Sequence, residues 1–278
     1  MRLHARRRGW GFWGLQAYTW LLLALVISPF VVITLGSVLN TSLLGISTEQ
    51  WSGETGASSI TFHWFSYVWD LYQDSLFFSI KLATLSSVFC LLVGVPGGYI
   101  IARHRNVATH LMEATVLLPL ALPGISFSIA LIQTYAVVRG SWWLILGGHL
   151  LYTLPFMVRL VTTTLRSLNL EALENTARSL GAGPWQRFFY VVLPNLRHAL
   201  ISGALLVFAI SWGEFNVSFL LNTPTHQTYP AALYATYTSN SFQVGSAATV
   251  IFLAVLTPTL WIIQRLGGSS ATRLEQGA

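Results

Sequence analysis

The 278-residue chain has few charged residues, one lysine and one cysteine. Only 9% of its residues are charged and 54% are hydrophobic, whereas a soluble domain carries about 25% charged residues. This deficit excludes a water-facing surface over most of the chain and predicts that lipid is its main solvent. Cys90 cannot form an internal disulfide or a cysteine metal cluster by itself, and in its apolar run we expect a small core residue.

The chain also lacks the patterns of several functional classes. Its net charge of +6 does not indicate a nucleic-acid partner, because the arginines do not form a basic patch interleaved with aromatic residues. The seven histidines are scattered and show no metalloprotease or hydrolase spacing. We therefore predict no catalytic residue, no metal site and no cofactor within this chain.

Long apolar runs are what the chain does contain. A membrane-crossing helix needs about 20 apolar residues, and six stretches meet this requirement. They are predicted at residues 16–39, 76–102, 112–138, 142–165, 199–221 and 244–266. The first apolar run is longer than that of a signal peptide, which favours an uncleaved anchor. The predicted fold class is an all-α membrane protein with six transmembrane helices.

The distribution of arginine predicts the topology, because cytoplasmic loops are enriched in Lys and Arg. Four arginines precede the first span, whereas residues 41–75 and 222–243 contain no Lys or Arg. This pattern predicts cytoplasmic N- and C-termini. The predicted organisation is a basic segment with the first helix (1–40), an external loop (41–75), a core of five helices (76–266) and a cytoplasmic tail (267–278).

A polar insert at residues 167–194 separates the fourth and fifth predicted spans. Apolar residues recur in it at helical spacing. Gly181 is placed to end a first helix, Pro184 to begin a second, and Pro194 to end that one. The insert is predicted to form two short helices at the cytoplasmic membrane surface, as a docking site or as a cap of the bundle.

The insert resembles the signature of permease subunits in binding-protein-dependent ABC importers. That signature is Glu-Ala-Ala, three residues, Gly, nine residues, Ile, one residue, Leu-Pro. The positions that match its spacing here are Ala177, Gly181, Val191, Leu193 and Pro194. Asn175 and Thr176 depart from it, since the family has Glu and Ala there, while Glu174 and Glu171 are acidic residues nearby. The resemblance extends over roughly residues 70–266.

The resemblance implies a coupling helix that sits in a cleft of a cytoplasmic ABC ATPase. The residues carried over as ATPase-coupling positions are Glu171, Glu174, Asn175, Thr176, Ala177, Arg178, Gly181, Ala182, Trp185 and Arg187. The implied partners are an ATPase dimer that binds ATP and Mg²⁺, a second permease subunit, identical or homologous, and an extracytoplasmic substrate-binding protein. The implied location is the bacterial inner membrane.

The sequence itself indicates that the chain is not an ATPase. A P-loop needs a Gly-Lys-Ser/Thr run, and the one lysine, Lys81, lies between Ile80 and Leu82. ATP hydrolysis is therefore expected in a separate subunit, and this chain is predicted to be a permease that imports a small polar solute by alternating access.

Polar residues in the fifth predicted span are candidates for the substrate pathway. Glu214 lies at membrane depth, where an ionisable side chain usually faces a bundle interior or a watery cavity. The residues expected to share its helical face are Ser211, Glu214, Ser218 and Asn222. Their role is either to line the pathway or to pair with a neighbouring helix. Four other polar residues at depth could join the cavity, but each alone is more typical of an interhelical hydrogen bond: Gln133, Thr134, His149 and Tyr152.

Two questions stay open at the level of sequence. An ion-coupled secondary transporter that uses Glu214 is the alternative function, although it leaves the polar insert unexplained. The stretches at residues 212–215 and 228–234 resemble the branch of the family that handles polyamines, phosphonates, ferric iron or thiamine. The sequence does not choose among these substrates.

Overall fold

The computed structural model describes residues 10–39, 60–104, 106–239 and 241–275. The chain divides into two compact units, one from residues 1–71 and 235–251 and one from residues 72–234 and 252–278. Eleven α-helices follow one another in the described residues. Their bounds are Trp10–Val38 (α1), His63–Arg103 (α2), Val107–Ala121 (α3), Gly124–Thr134 (α4), Trp142–Ser167 (α5), Leu170–Ser179 (α6), Pro184–Arg187 (α7), Leu193–Trp212 (α8), Asn216–Leu221 (α9), Tyr229–Ser239 (α10) and Phe242–Glu275 (α11).

The helices confirm the predicted all-α membrane fold. Within the described residues, five helical segments are long and apolar enough to cross a membrane, and the bent pair α3 and α4 would make a sixth. The segment that contains the fifth predicted span runs from Pro184 to Trp212. The predicted orientation of the termini stays a prediction, and the arginines before the first span lie outside the described residues.

The second helix begins earlier than predicted. α2 starts at His63, so residues 63–75, which the sequence assigned to the external loop, are helical. These residues contain no proline or glycine, and nothing in them ends a helix before the apolar run begins. Residues 40–59 of the predicted loop lie outside the described residues.

The third predicted span is not one helix. α3 and α4 meet at an angle of 107° around Leu122 and Pro123, which corrects the single span predicted over residues 112–138. Leu122 has an extended backbone, with ψ at 138°, and a residue before proline is disfavoured in helical conformation. A Cβ on Gly124 would lie 2.7 Å from the Cβ of Asn216, so α4 approaches α9 as closely as only glycine permits.

The core of the second unit forms where α2, α5 and α8 pack together. Cys90, Met157, Val161 and Leu196 are buried in one hydrophobic cluster, which places Cys90 as a core residue. A Cβ on Gly98 would lie 2.8 Å from the Cβ of Val161. Small residues at such contacts let membrane helices approach closely and gain van der Waals contact.

The sequence predicted that the second helix of the insert ends at Pro194, and this prediction is wrong. α7 continues through a π-helical turn, Phe188–Val192, into α8, and Pro194 lies in the first turn of α8. A proline lacks an N–H and leaves carbonyls of the preceding turn without a helical donor. The side chain of Asn195 donates a hydrogen bond of 2.7 Å to the carbonyl of Val191, which adds a side-chain contact in the turn that contains the proline.

Candidate functional site

The first helix of the polar insert has an inner and an outer face. Helix α6 begins after Asn169, whose φ of 49° turns the chain sharply from α5. Leu170 and Glu174, four residues apart, are both buried, whereas Glu171 and Asn175 are exposed. Residues four apart lie on one helical face, so one face of α6 packs against the protein and the opposite face is exposed.

The inner face is fastened by a set of polar contacts that we call the Glu174 cluster, formed by Tyr99, Arg103, Glu174 and Arg187. The Tyr99 hydroxyl donates a hydrogen bond to Glu174. The Nε of Arg103 lies 3.2 Å from Glu174 Oε2, and an Nη atom of Arg187 lies 3.7 Å from that oxygen. Arg103 also donates to the Tyr99 hydroxyl at 3.1 Å. One carboxylate thereby joins α2, α6 and α7.

The turn between α6 and α7 ends the first helix at the predicted glycine. The N–H of Ala182 donates to the carbonyl of Ala177 at 3.1 Å, and that of Gly181 to Arg178 at 3.0 Å. This pair of bonds is the Schellman motif, and it requires the left-handed φ of 85° at Gly181. Pro184 then occupies the first turn of α7. A first helix that ends at Gly181 and a second that begins at Pro184 agree with the prediction, but the second helix is not short, because it continues into α8.

The turn presents two large apolar side chains. Leu180 is 85% exposed and Trp185 is 76% exposed. The Trp185 ring stacks on Phe189 with the centroids 6.1 Å apart, which holds the indole in place. An exposed leucine and tryptophan on a polar segment form a surface suited to another protein chain.

The structure separates the ten predicted coupling residues by their exposure. Glu174 and Arg187 are buried in the Glu174 cluster, with exposures of 5% and 7%. The residues that are exposed or half-buried are Glu171, Asn175, Thr176, Ala177, Arg178, Gly181, Ala182 and Trp185. The sequence did not predict Tyr99 and Arg103 as members of this site. Their spacing of four residues at the end of a span was the available signal.

The four residues predicted for the substrate pathway do not lie on one continuous helix. α8 ends at Trp212 and α9 begins at Asn216, so the shared face expected for the fifth span is interrupted at residues 213–215. Glu214 lies in the break and its Oε1 accepts a hydrogen bond of 2.8 Å from the N–H of Val217. A carboxylate at the start of a helix satisfies free N–H groups and is favoured by the helix dipole.

His149 of α5 brings two of the pathway residues together across the break. Its Nδ1 lies 2.7 Å from the Ser211 hydroxyl, and its Nε2 lies 2.9 Å from the Ser218 hydroxyl. His149 is fully buried, and a neutral imidazole has one donor and one acceptor nitrogen. The predicted interhelical hydrogen bond of His149 is thus present and involves both halves of the broken span. Asn222, the fourth pathway residue, accepts a bond of 3.3 Å from the N–H of Thr228.

The described residues contain no group of three or more His, Cys, Asp or Glu side chains that could hold a metal ion.

Comparison with known proteins gives a consistent result. The family described as "Binding-protein-dependent transport system inner membrane component" matches residues 94–268. The putative 2-aminoethylphosphonate transport system permease protein PhnV of Salmonella paratyphi A is 25% identical, over 89% of this chain and 91% of that protein. The molybdenum transport system permease protein ModB of Escherichia coli K12 is 28% identical, over 72% of this chain and 95% of that protein.

Solved structures share the fold. A chain of the bacterial alginate ABC transporter, in complex with an alginate pentasaccharide-bound periplasmic protein, superposes with a TM-score of 0.69. That match has 14% identity and covers 94% of both chains. The inward-facing MetNI methionine ABC transporter gives a TM-score of 0.60 at 19% identity, over 72% of this chain and 96% of that chain. Both likenesses concern the arrangement of helices.

Proposed function

Because the chain belongs to the family of inner membrane components of binding-protein-dependent transport systems, and is thus the permease subunit of an ABC importer, we propose that it imports a small polar solute by alternating access. ATP hydrolysis takes place in a separate subunit. The single observation that carries this proposal is the polar insert, which is exposed on one face and fastened to the spans on the other.

The exposed face of the insert is the docking surface for the ATPase. Leu180 and Trp185 extend from the turn between α6 and α7, with Trp185 held against Phe189. Exposed aromatic residues of this kind often supply much of the binding energy of an interface. The partner that accepts them is an ABC ATPase dimer, which binds the ATP and Mg²⁺ that the system uses.

The inner face of the insert transmits the movement of the ATPase. Glu174 joins α6 to α2 through Tyr99 and Arg103, and the π-helical turn joins α7 to α8 without a loop. A displacement of the docked turn therefore moves two membrane-spanning helices with it. The ATPase then shifts the population between outward- and inward-open states because it binds them with different affinity.

The break in the fifth span is the part of the pathway that we assign to the solute. Glu214 lies between α8 and α9, and the pathway residues Ser211 and Ser218 bond to His149 on either side of it. A break of this kind lets the two halves of a membrane helix move separately. The ion-coupled alternative is not favoured, since it gives the insert no partner and the family consists of ABC importer components.

The substrate class that we propose is a phosphonate or a similar small oxyanion. Of the substrates predicted for this branch, the phosphonates agree with the name of the PhnV relative. ModB, named for molybdenum transport, lies in the same range of identity. A substrate-binding protein delivers the solute, as the complex of the alginate transporter with its periplasmic protein supports. A second permease subunit completes the pathway.

Co-purification tests the docking surface. Trp185→Ala is expected to weaken ATPase binding roughly 30-fold and so to reduce the ATPase subunit that co-purifies with the permease, because loss of an interface tryptophan typically costs about 2 kcal/mol or more. Tyr190→Ala is the matched control, since Tyr190 is also largely exposed, at 79%, but lies outside the predicted coupling residues. Full ATPase recovery with Trp185→Ala, together with full recovery after deletion of residues 174–187, contradicts docking at this insert.

A further inference from the structure

A polar cavity of about 430 Å³ lies behind the insert. Its walls are the ends of α2 and α5, both buried and exposed residues of α6, and one residue of α7. The basic residues that line it are Arg103, His104, Arg166, Arg178 and Arg187. Because α2 and α5 are membrane-spanning helices that end here, the cavity lies at the level where a membrane helix meets the headgroup region.

The cavity has more cationic than anionic side chains. Four arginines face two acidic residues, Glu171 and Glu174, which leaves an excess of two positive charges. Arg166 forms an ion pair of 3.2 Å with Glu113, which does not line the cavity. When Glu113 is counted as well, the excess is one positive charge. Concentrated guanidinium groups in a partly enclosed cavity favour an anion.

Arg187 is the residue whose pairing is least complete. Its side chain is 9% exposed, and its ion-pair contact to Glu174 is 3.7 Å long. Glu174 is shared with Arg103, which is closer at 3.2 Å. The Nε of Arg187 has no hydrogen-bond partner in the described residues. Burial of a guanidinium with only one long ionic contact costs free energy. A hydrogen-bond acceptor bound in the cavity would give the Nε of Arg187 a partner.

We propose that this cavity binds a phosphate group. Arginine forks match phosphate oxygens with two parallel hydrogen bonds, and several arginines around one site fit its charge and its oxygens together. The group comes either from the headgroup of an anionic phospholipid or from free phosphate. A basic pocket between membrane helices on the cytoplasmic side, where the insert is predicted to lie, is a typical site for anionic headgroups.

Arg178 provides the test because it lines the cavity but does not hold the fold together. It is exposed, and among the described residues no hydrogen bond or ion pair of its side chain is present, so Arg178→Gln leaves the packing intact. Arg197→Gln is the matched control, since Arg197 is also exposed and lies on α8 outside the cavity. Arg103 and Arg187 are unsuitable, because their loss would also disrupt the Glu174 cluster.

The full chain, purified in detergent, is titrated with phosphatidylglycerol, phosphatidylcholine or inorganic phosphate, and binding is followed by native mass spectrometry. We expect one phosphatidylglycerol to bind in preference to the zwitterionic lipid. Arg178→Gln should weaken this binding by about tenfold, as expected for one charge-assisted hydrogen bond, and Arg197→Gln should leave it unchanged.

The outcomes separate the sources of the phosphate. Retention of phosphatidylglycerol that inorganic phosphate does not displace assigns the site to lipid, whereas binding of inorganic phosphate alone assigns it to the free anion. Equal binding to both arginine variants, or no binding of either ligand, overturns the proposal. Crosslinking of residue 178 to an acidic residue of the ATPase subunit, without phosphate binding, assigns the cavity to the protein partner and also overturns it.

Discussion

Replacement of Glu174 by glutamine tests whether the insert is fastened to the membrane spans. Glu174→Gln preserves the size of the side chain but removes the charge that faces Arg103 at 3.2 Å and Arg187 at 3.7 Å. Removal of one partner from a buried ion pair costs about 3–5 kcal/mol. Arg103 is 33% exposed, so solvent screening lowers its share. We expect the free energy that stabilises the Glu174 cluster to fall by about 2 kcal/mol. This corresponds to a change of roughly 30-fold in the equilibrium between the formed and the separated cluster.

The surface ion pair between Glu113 and Arg166 provides the matched control. It also has a length of 3.2 Å, but both side chains are about one third exposed, at 29% and 34%. Exposed pairs contribute about 0–1 kcal/mol. Glu113→Gln should therefore have little effect, although it removes the same charge near the same end of the bundle.

The assay measures solute imported per ATP hydrolysed in proteoliposomes that contain the complete transporter. With Glu174→Gln, the ATPase should still co-purify, since Leu180 and Trp185 are unchanged, but uptake per ATP should fall. With Glu113→Gln, the ratio should stay at the wild-type value. If Glu174→Gln assembles normally and keeps the wild-type ratio, the cluster does not transmit the movement of the insert.

Three further substitutions test the packing and the turn by thermal unfolding of the purified chain in detergent. His149→Leu should lower the free energy of unfolding by about 2–3 kcal/mol, because the buried hydroxyls of Ser211 and Ser218 lose the histidine, although Ser211 keeps a contact of 3.4 Å with Ser86; unchanged stability would contradict their pairing across the break. Gly98→Ala should lose about 1–3 kcal/mol through the clash with Val161, while Gly97→Ala, whose Cβ would meet nothing within 4 Å, should not destabilise the chain. Gly181→Ala should lower the free energy of unfolding by about 1–2 kcal/mol, because alanine disfavours the left-handed backbone at this position. An unchanged melting temperature would show that the turn adopts another backbone conformation without loss of stability.

The local features of the insert were predictable from sequence because they depend on neighbours along the chain. The end of α6 at Gly181 and the start of α7 at Pro184 follow from backbone preferences of the two residue types. The burial of Glu174 was not predicted, because the resemblance gave this residue as an ATPase-coupling position. Its partner Tyr99 could not be predicted either, since Tyr99 lies 75 residues away in the chain and only the packing of α2 against the insert brings them together.

The helix breaks were not predictable in the same way. Pro96 and Pro155 lie inside continuous helices, whereas the chain bends by 107° at Pro123. The break before α9 is stabilised by the Glu214 side chain and by His149 on another helix. The sequence showed that Glu214 is a polar residue within a membrane span. It did not show that the Glu214 side chain caps the start of a new helix.

The π-helical turn at Phe188–Val192 sets the rotational phase between the insert and the fifth span. A π turn contains one residue more than an α turn, and one residue corresponds to a rotation of about 100°. Deletion of a single residue in the turn would therefore rotate Trp185 by about that angle relative to α8. The number of residues in this five-residue turn, and not the identity of their side chains, thus determines the direction in which the docking surface faces.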